Sequence, residues 1–187
     1  MSTYKAFEVR EEIEKKFVGA IVEKSALELA EGSVSIEVHY SSVNYKDALS
    51  ASGSKAVTRE YPHVPGIDAA GIVESSSDSR FSPGDQVVVI SFDLGANTSG
   101  GFGQFIRVPA NWVMHLPEGL TMRESMIFGT AGYTAGLAVS LLQKQEITPK
   151  TGPIIVTGAS GGVGSVSVSL LSKLGYIVSA SSGKKSA

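Results

Sequence analysis

The sequence predicts a mixed α/β chain in which a β-rich N-terminal part precedes one strand–turn–helix–strand unit. Three observations carry this. From Tyr4 to about Leu116 many short β-type runs are separated by glycine, proline and serine. Near Leu116-Pro117-Glu118-Gly119 the pattern changes to helical spacing. Beyond Gly152 a β-branched run, a glycine-rich turn, an amphipathic segment and a second β-branched run follow in order within about 30 residues, as a βαβ unit requires.

The strands of the first part include Phe17–Val22, Val34–Tyr40, Ala69–Val73, Gln86–Ile90 and Phe105–Val108. Val34, Ile36, Val38 and Tyr40 alternate with Ser35, Glu37, His39 and Ser41, the period of a strand with one buried face. These runs are expected to build a small β-barrel or sandwich over residues 1–120. A short helix is expected from near Asn44 to before Gly53, and a glycine-rich loop over Gly95–Gly101. Thr121-Met122-Arg123-Glu124 has capping-box spacing and opens the second domain, 121–187. A helical stretch should run through Gly129-Thr130, followed by a longer helix from about Ala131 to Gln145. The apolar run Met126–Leu142 is interrupted by glycine, threonine and serine, falls short of a bilayer span of about 20 residues, and is expected to be a packed helix.

Gly152-Pro153-Ile154-Ile155-Val156 suits a parallel strand buried on both faces. The turn Thr157-Gly158-Ala159-Ser160-Gly161-Gly162-Val163-Gly164 follows it. Gly161 and Gly162 omit the Cβ atoms that would hold a pyrophosphate away from the backbone, and Gly164 lets a helix lie close to the strand. Val163, Val166, Leu170, Leu171 and Leu174 recur at helical spacing, Gly175 is a C-cap, and Tyr176–Ala180 is the next strand. The positive end of that helix is a binding site for a dinucleotide pyrophosphate, with Ser160, Gly161, Gly162, Val163 and Gly164 around it. Ala159 stands where the G-x-G-x-x-G template has its first glycine, and a purely structural turn is the alternative. About 20 residues past the turn, Ser179–Lys185 offers hydroxyls and ammonium groups where NAD-preferring folds place a carboxylate. Ser182, Gly183 and Lys184 therefore suit the 2′-phosphate of NADPH; alternatively, Lys184 and Lys185 are solvated tail charges.

The 187 residues, 42% of them hydrophobic, suffice for a real core. A formal net charge of −2 gives no broad basic field, so neither nucleic acid nor an anionic membrane is expected as main partner. Zero cysteines exclude disulfides and thiolate metal sites, and residues 1–5 lack the blocks of a signal peptide, which makes the cytoplasm the default. His39, His63 and His115 are scattered and read as ordinary strand or loop histidines, so no metal is expected.

The strings Ser41–Leu49 (SSVNYKDAL), Val64–Gly71 (VPGIDAAG) and Phe128–Ala135 (FGTAGYTA), with the glycine loop, resemble the medium-chain dehydrogenase/reductase superfamily, and within it the YhdH/YhfP-type quinone oxidoreductases, which include acryloyl-CoA reductases. The resemblance implies a GroES-like β-barrel followed by the start of a Rossmann domain, truncated after its second strand, so activity of these 187 residues alone is not implied. It also implies an NADPH-dependent reductase acting on an enone, a quinone or an acyl-CoA thioester, and allows a homodimer. Tyr45 and Asn44 would lie beside the nicotinamide, Tyr45 orienting the ring or relaying a proton, with Thr130 and Thr134 near the cofactor from the bridging helix. In the zinc enzymes of the superfamily a cysteine and a histidine take the places of Asn44 and Ile67, which implies a zinc-independent site here. The alternatives are that Tyr45 fills a core gap and Asn44 only caps a helix, that Gly129-Thr130 is only a helix break, and that the chain is a non-catalytic nucleotide-binding or structural protein on this fold. Lys46 and Asp47 read as a solvated pair.

Overall fold

Alternating side chains pair β1 (Thr3–Glu11) with β2 (Phe17–Ser25) as an antiparallel hairpin in the computed structural model, which describes residues 3–13 and 16–183. Five further strands follow: β3 (Val34–Tyr40), β4 (Asp68–Ser76), β5 (Gln86–Ile90), β6 (Phe105–Val108) and β7 (Val113–His115). They form an antiparallel sheet in the order β6-β3-β4-β5-β7, with α1 (Tyr45–Ala51) between β3 and β4 in sequence. Val34, Ile36, Val73, Val87, Val89, Ile106 and Val108 make one buried core, each side chain contributing about 1.5–3 kcal/mol. The expected alternation of β3 holds from Ile36 to His39, with half-buried Val38 between exposed Glu37 and His39, and fails at two positions: Ser35 is buried, taking a hydrogen bond from Arg107 Nε at 3.1 Å, and Tyr40 is exposed. Register shifts after Ser35 and Val38 break the strict two-residue period.

The chain clusters into two compact units, Met1–Ile127 and Phe128–Ala187. Across their boundary runs α2 (Met122–Lys144), opened by the expected capping box: Thr121 N–H reaches Glu124 Oε2 at 2.9 Å and Glu124 N–H reaches Thr121 Oγ1 at 3.2 Å. Gly129 breaks it with non-helical angles (φ 48°, ψ −151°), which the glycine-threonine pair had marked. Among the described residues α2 alone has the length and apolar composition to cross a bilayer, at 23 residues longer than the interrupted run suggests. Before the break Met126 is buried; after it Ala135 and Val139 are buried while Tyr133, Leu137 and Leu141 are exposed, so the part after Gly129 packs along one side.

In the second unit β8 (Ile154–Thr157) pairs in parallel with β9 (Val178–Ser181), joined by α3 (Gly162–Lys173). Val139, Leu171 and Tyr176 form its core, and Tyr176 Oη donates to the Ile147 carbonyl at 2.7 Å. The C-cap is Leu174, and Gly175 follows it in the left-handed region (φ 86°). Gly175 N–H bonds Ser172 O and Tyr176 N–H bonds Leu171 O, both at 3.0 Å, completing a Schellman motif. Two expectations are corrected. β8 is not buried on both faces, since Ile155 is 70% exposed; a two-stranded sheet has too few neighbours to cover it. The buried face of α3 is Gly164, Ser167 and Leu171, and Val163 and Leu174 are exposed.

His63 pairs its backbone with Val9, and its ring is buried with Nε2 lacking a hydrogen-bond partner. Burial pushes its pKa below the ordinary histidine value, against a bond to the Gly95 backbone and the charge of Asp93. The unfolded chain then binds the proton more readily, so stability rises with pH across the window between the two values. We expect stability to be full above about pH 6.5 and to fall as the pH drops toward the depressed folded value. Thermal unfolding of His63→Leu between pH 7 and 5.5 should show a shallower loss than the unsubstituted chain; parallel curves would refute the assignment.

Candidate functional site

In the first unit the segment after β3 is extended through Asn44 (φ −118°, ψ 158°), the N-cap residue of α1. Asp68 opens β4, faces Ile90 across the ladder to β5, and is 0% exposed. Its Oδ2 accepts Asn44 Nδ2 at 2.9 Å and a short hydrogen bond from the Ser42 hydroxyl; Ser91 N–H approaches Oδ1 at 3.4 Å. Asn44 Nδ2 also donates to Ser42 Oγ at 2.9 Å. A carboxylate only accepts, so the amide must turn its nitrogen to Asp68, and the Asn44 side chain also closes a capping box with the Asp47 backbone, as the N-cap reading expected.

Asp47 is the second buried carboxylate, 2% exposed, which corrects the expectation of a solvated pair with Lys46. Its Oδ2 accepts Asn44 N–H at 2.7 Å, and Oδ1 accepts Ile67 N–H at 2.9 Å and Gly66 N–H at 3.2 Å. Burial pushes its pKa above the ordinary carboxylate value; the amides of Asn44 and Ile67 oppose this and the Asp68 charge adds to it. One side chain thus ties the start of α1 to the strand entry at Gly66-Ile67. Tyr45, first residue of the helix, is 80% exposed, which removes the reading in which it fills a core gap. Among the described residues no group of three or more His, Asp or Glu side chains is arranged to hold a metal ion, and Ile67 is a buried alkyl group.

In the second unit the turn after β8 delivers Gly161 as N-cap of the 12-residue α3. Gly161 and Gly162 are exposed and Gly164 is buried. A Cβ on Gly164 would stand 2.3 Å from Gly158 O, so only glycine allows this approach of helix to turn. The first-turn amides, Val163 among them, lack intrahelical acceptors and make an anion site by geometry and dipole. Ser160 and Ser182, 22 residues apart, are brought together with their hydroxyls 2.9 Å apart at the ends of β8 and β9, and Gly183 follows in an exposed position. Lys184 lies outside the described residues. Gly162 packs near Ala131, where an added Cβ would come within 3.2 Å of that methyl, next to Thr130 on α2. Thr134 Oγ1 donates to Thr130 O at 2.7 Å, so toward a ligand its hydroxyl is an acceptor.

Sequence reasoning missed Asp68, Asp47 and Ser42. The signals existed: Asn44-x-x-Asp47 has the spacing of a capping pair, and Asp68 is the lone charge in the apolar run Val64–Val73. We expect Gly164→Ala to destabilise the chain by about 1–3 kcal/mol, because a methyl against a backbone carbonyl forces the helix away from the turn. Equal or higher stability in chemical denaturation would show that the approach is not tight.

The Alcohol dehydrogenase GroES-like domain matches residues 30–118. Acrylyl-CoA reductase AcuI of Ruegeria pomeroyi is 47% identical over 175 residues, 94% of this chain and 53% of that protein. The YhdH oxidoreductase of Salmonella enterica, crystallised with NADP, superposes with a TM-score of 0.93 at 44% identity, covering 97% of this chain and 56% of that one. Bacillus subtilis YhfP, crystallised with NAD, gives a TM-score of 0.93 at 40% identity, covering 99% of this chain and 56% of that one. The chain spans about half the length of the curated relatives it matches. The mixed α/β fold, the GroES-like match and these likenesses agree: the chain belongs to the YhdH/YhfP-type quinone oxidoreductase family of the medium-chain dehydrogenase/reductase superfamily.

Proposed function

We propose that the chain carries the acceptor-side residues and the pyrophosphate loop of a zinc-independent, NADPH-dependent reductase of conjugated C=C bonds or quinones. Residues 1–120 are the acceptor-binding β domain, and residues 121–187 are the bridging helix and the start of the cofactor domain. The observation that carries the reading is the open start of α3, where Gly161 and Gly162 leave room beside unpaired helix amides and two serine hydroxyls converge. A side chain at either glycine would fill that cradle.

Ser160, Gly161, Gly162, Val163 and Gly164 would hold the pyrophosphate, with Ser182, Gly183 and Lys184 assigned to the 2′-phosphate. The family likeness does not choose the dinucleotide, since one relative was crystallised with NADP and another with NAD. The choice of NADPH rests on the hydroxyl and ammonium donors after β9 and the lack of a carboxylate there. Bound NADPH supplies the hydride.

Asn44, held by Asp68 and Ser42, would lie beside the nicotinamide, and Thr130 and Thr134 would serve the cofactor from α2. Tyr45 is exposed, and its hydroxyl would orient the ring or pass a proton to the acceptor. The side chains present support zinc independence: an alkyl group at 67 ligates nothing, and the Asn44 amide nitrogen is committed to Asp68 and Ser42. A homodimer is compatible with the reading.

The test is spectrophotometric NADPH oxidation with a quinone and with acrylyl-CoA, on this chain and on one extended to the relatives' length. Turnover is expected in the extended chain, without stoichiometric zinc, and Tyr45→Phe should lower it by about 100-fold. NADPH binding without turnover on either acceptor would favour a non-catalytic nucleotide-binding protein on the same fold.

A further inference from the structure

One stretch of the first unit departs from ordinary backbone beside the carboxylate network. Immediately after β5, two successive non-glycine residues, Ser91 and Phe92, adopt left-handed angles (φ 62° and 53°). That region is unfavourable for a bulky aromatic residue, and it persists only where the surroundings enforce it. The enforcement is visible. Ser91 N–H is held by Ile67 O at 2.9 Å and approaches Asp68 Oδ1 at 3.4 Å, while the other oxygen of that carboxylate takes the Asn44 amide.

The strained turn does not bury the ring it carries. Phe92 is 56% exposed, lying flat against Trp112 with ring centroids 5.4 Å apart and planes 5° apart. Trp112 in turn packs against the main core, so the stack has a fixed base. The ladder pairs Asp68 with Ile90 and Val89 with Val113, which puts the aromatic pair at the same end of the sheet as Asp68 and the Asn44 segment. Burial does not account for the ring, whose contact in this structure is the Trp112 stack.

We propose that Phe92, backed by Trp112, is a specificity-determining contact for the acceptor: a flat aromatic platform on which a planar conjugated group, a quinone ring or an enone, stacks. This rests on the reductase reading above. An exposed π-face on a rigid base favours flat acceptors over saturated ones of equal size and adds no charge that would have to be desolvated. The left-handed turn is what presents the face at this end of the sheet.

Trp112 is the only tryptophan of the chain, and the chain has no cysteine thiol to which a quinone could add. Its fluorescence therefore reports directly on the platform in the 187-residue chain. Titration with 1,4-naphthoquinone should quench it along a saturable isotherm; Phe92→Ala should weaken that binding by about tenfold, and Phe92→Tyr should retain it. An equal isotherm in Phe92→Ala, or quenching strictly linear in quinone for the unsubstituted chain, would overturn the proposal. NADPH affinity, read in the same proteins from nicotinamide fluorescence, tests the reductase reading separately: its loss in the unsubstituted chain would strike that reading and leave the quinone isotherm standing.

Discussion

Two buried carboxylates, Asp47 and Asp68, fix the geometry around α1 in the first unit. Burying a charge is costly unless donors surround it, and Asp47 and Asp68 divide between them backbone amides of Asn44, Gly66, Ile67 and Ser91, the Ser42 hydroxyl and the Asn44 amide. The network joins three stretches far apart in sequence: the exit of β3, the entry to β4 and the end of β5. Its energetic sign is instructive. The folded-state pKa of Asp47 is raised, so the folded chain binds the proton more readily than the unfolded one, and stability is lost as pH rises through the folded value. Where it is ionised, Asp47 therefore serves position at a cost in stability, as buried ionic groups can.

The second unit solves a different problem. Gly164 brings α3 onto the turn, the Schellman motif at Gly175 reverses the chain, and β9 returns parallel to β8 so that Ser182 meets Ser160. The resulting apolar surface is only partly covered, with Ile155 and Ile177 exposed on the short sheet and Leu137 and Leu141 on α2. That agrees with a chain spanning about half the length of its curated relatives.

Local signals were legible in the sequence and long-range pairings were not. Short β-type runs bounded by turn residues located β3, β5 and β6 to the residue, capping-box spacing located the start of α2, and glycine located the break at 129 and the turn before α3. The roles given to Asn44 and Tyr45 came from motif resemblance. Asp47 was misread because its charge argues for solvent, while the donors that stabilise its burial come from Gly66 and Ile67, about twenty residues on. The faces of β8 and α3 were misjudged because apolar spacing says which residues could be buried, whereas the neighbours available decide which ones are. The left-handed Ser91-Phe92 turn left no mark in composition at all, since neither residue favours that conformation.

The central claim is that the Asp47 carboxylate holds the Asn44-Tyr45 segment against the entry of β4. Amide hydrogen exchange at Asn44, Gly66 and Ile67 measures it directly, comparing the unsubstituted chain with Asp47→Ala. The account predicts that these three amides lose protection together while those in the β4–β5 ladder keep theirs. Unchanged protection at all three would contradict it.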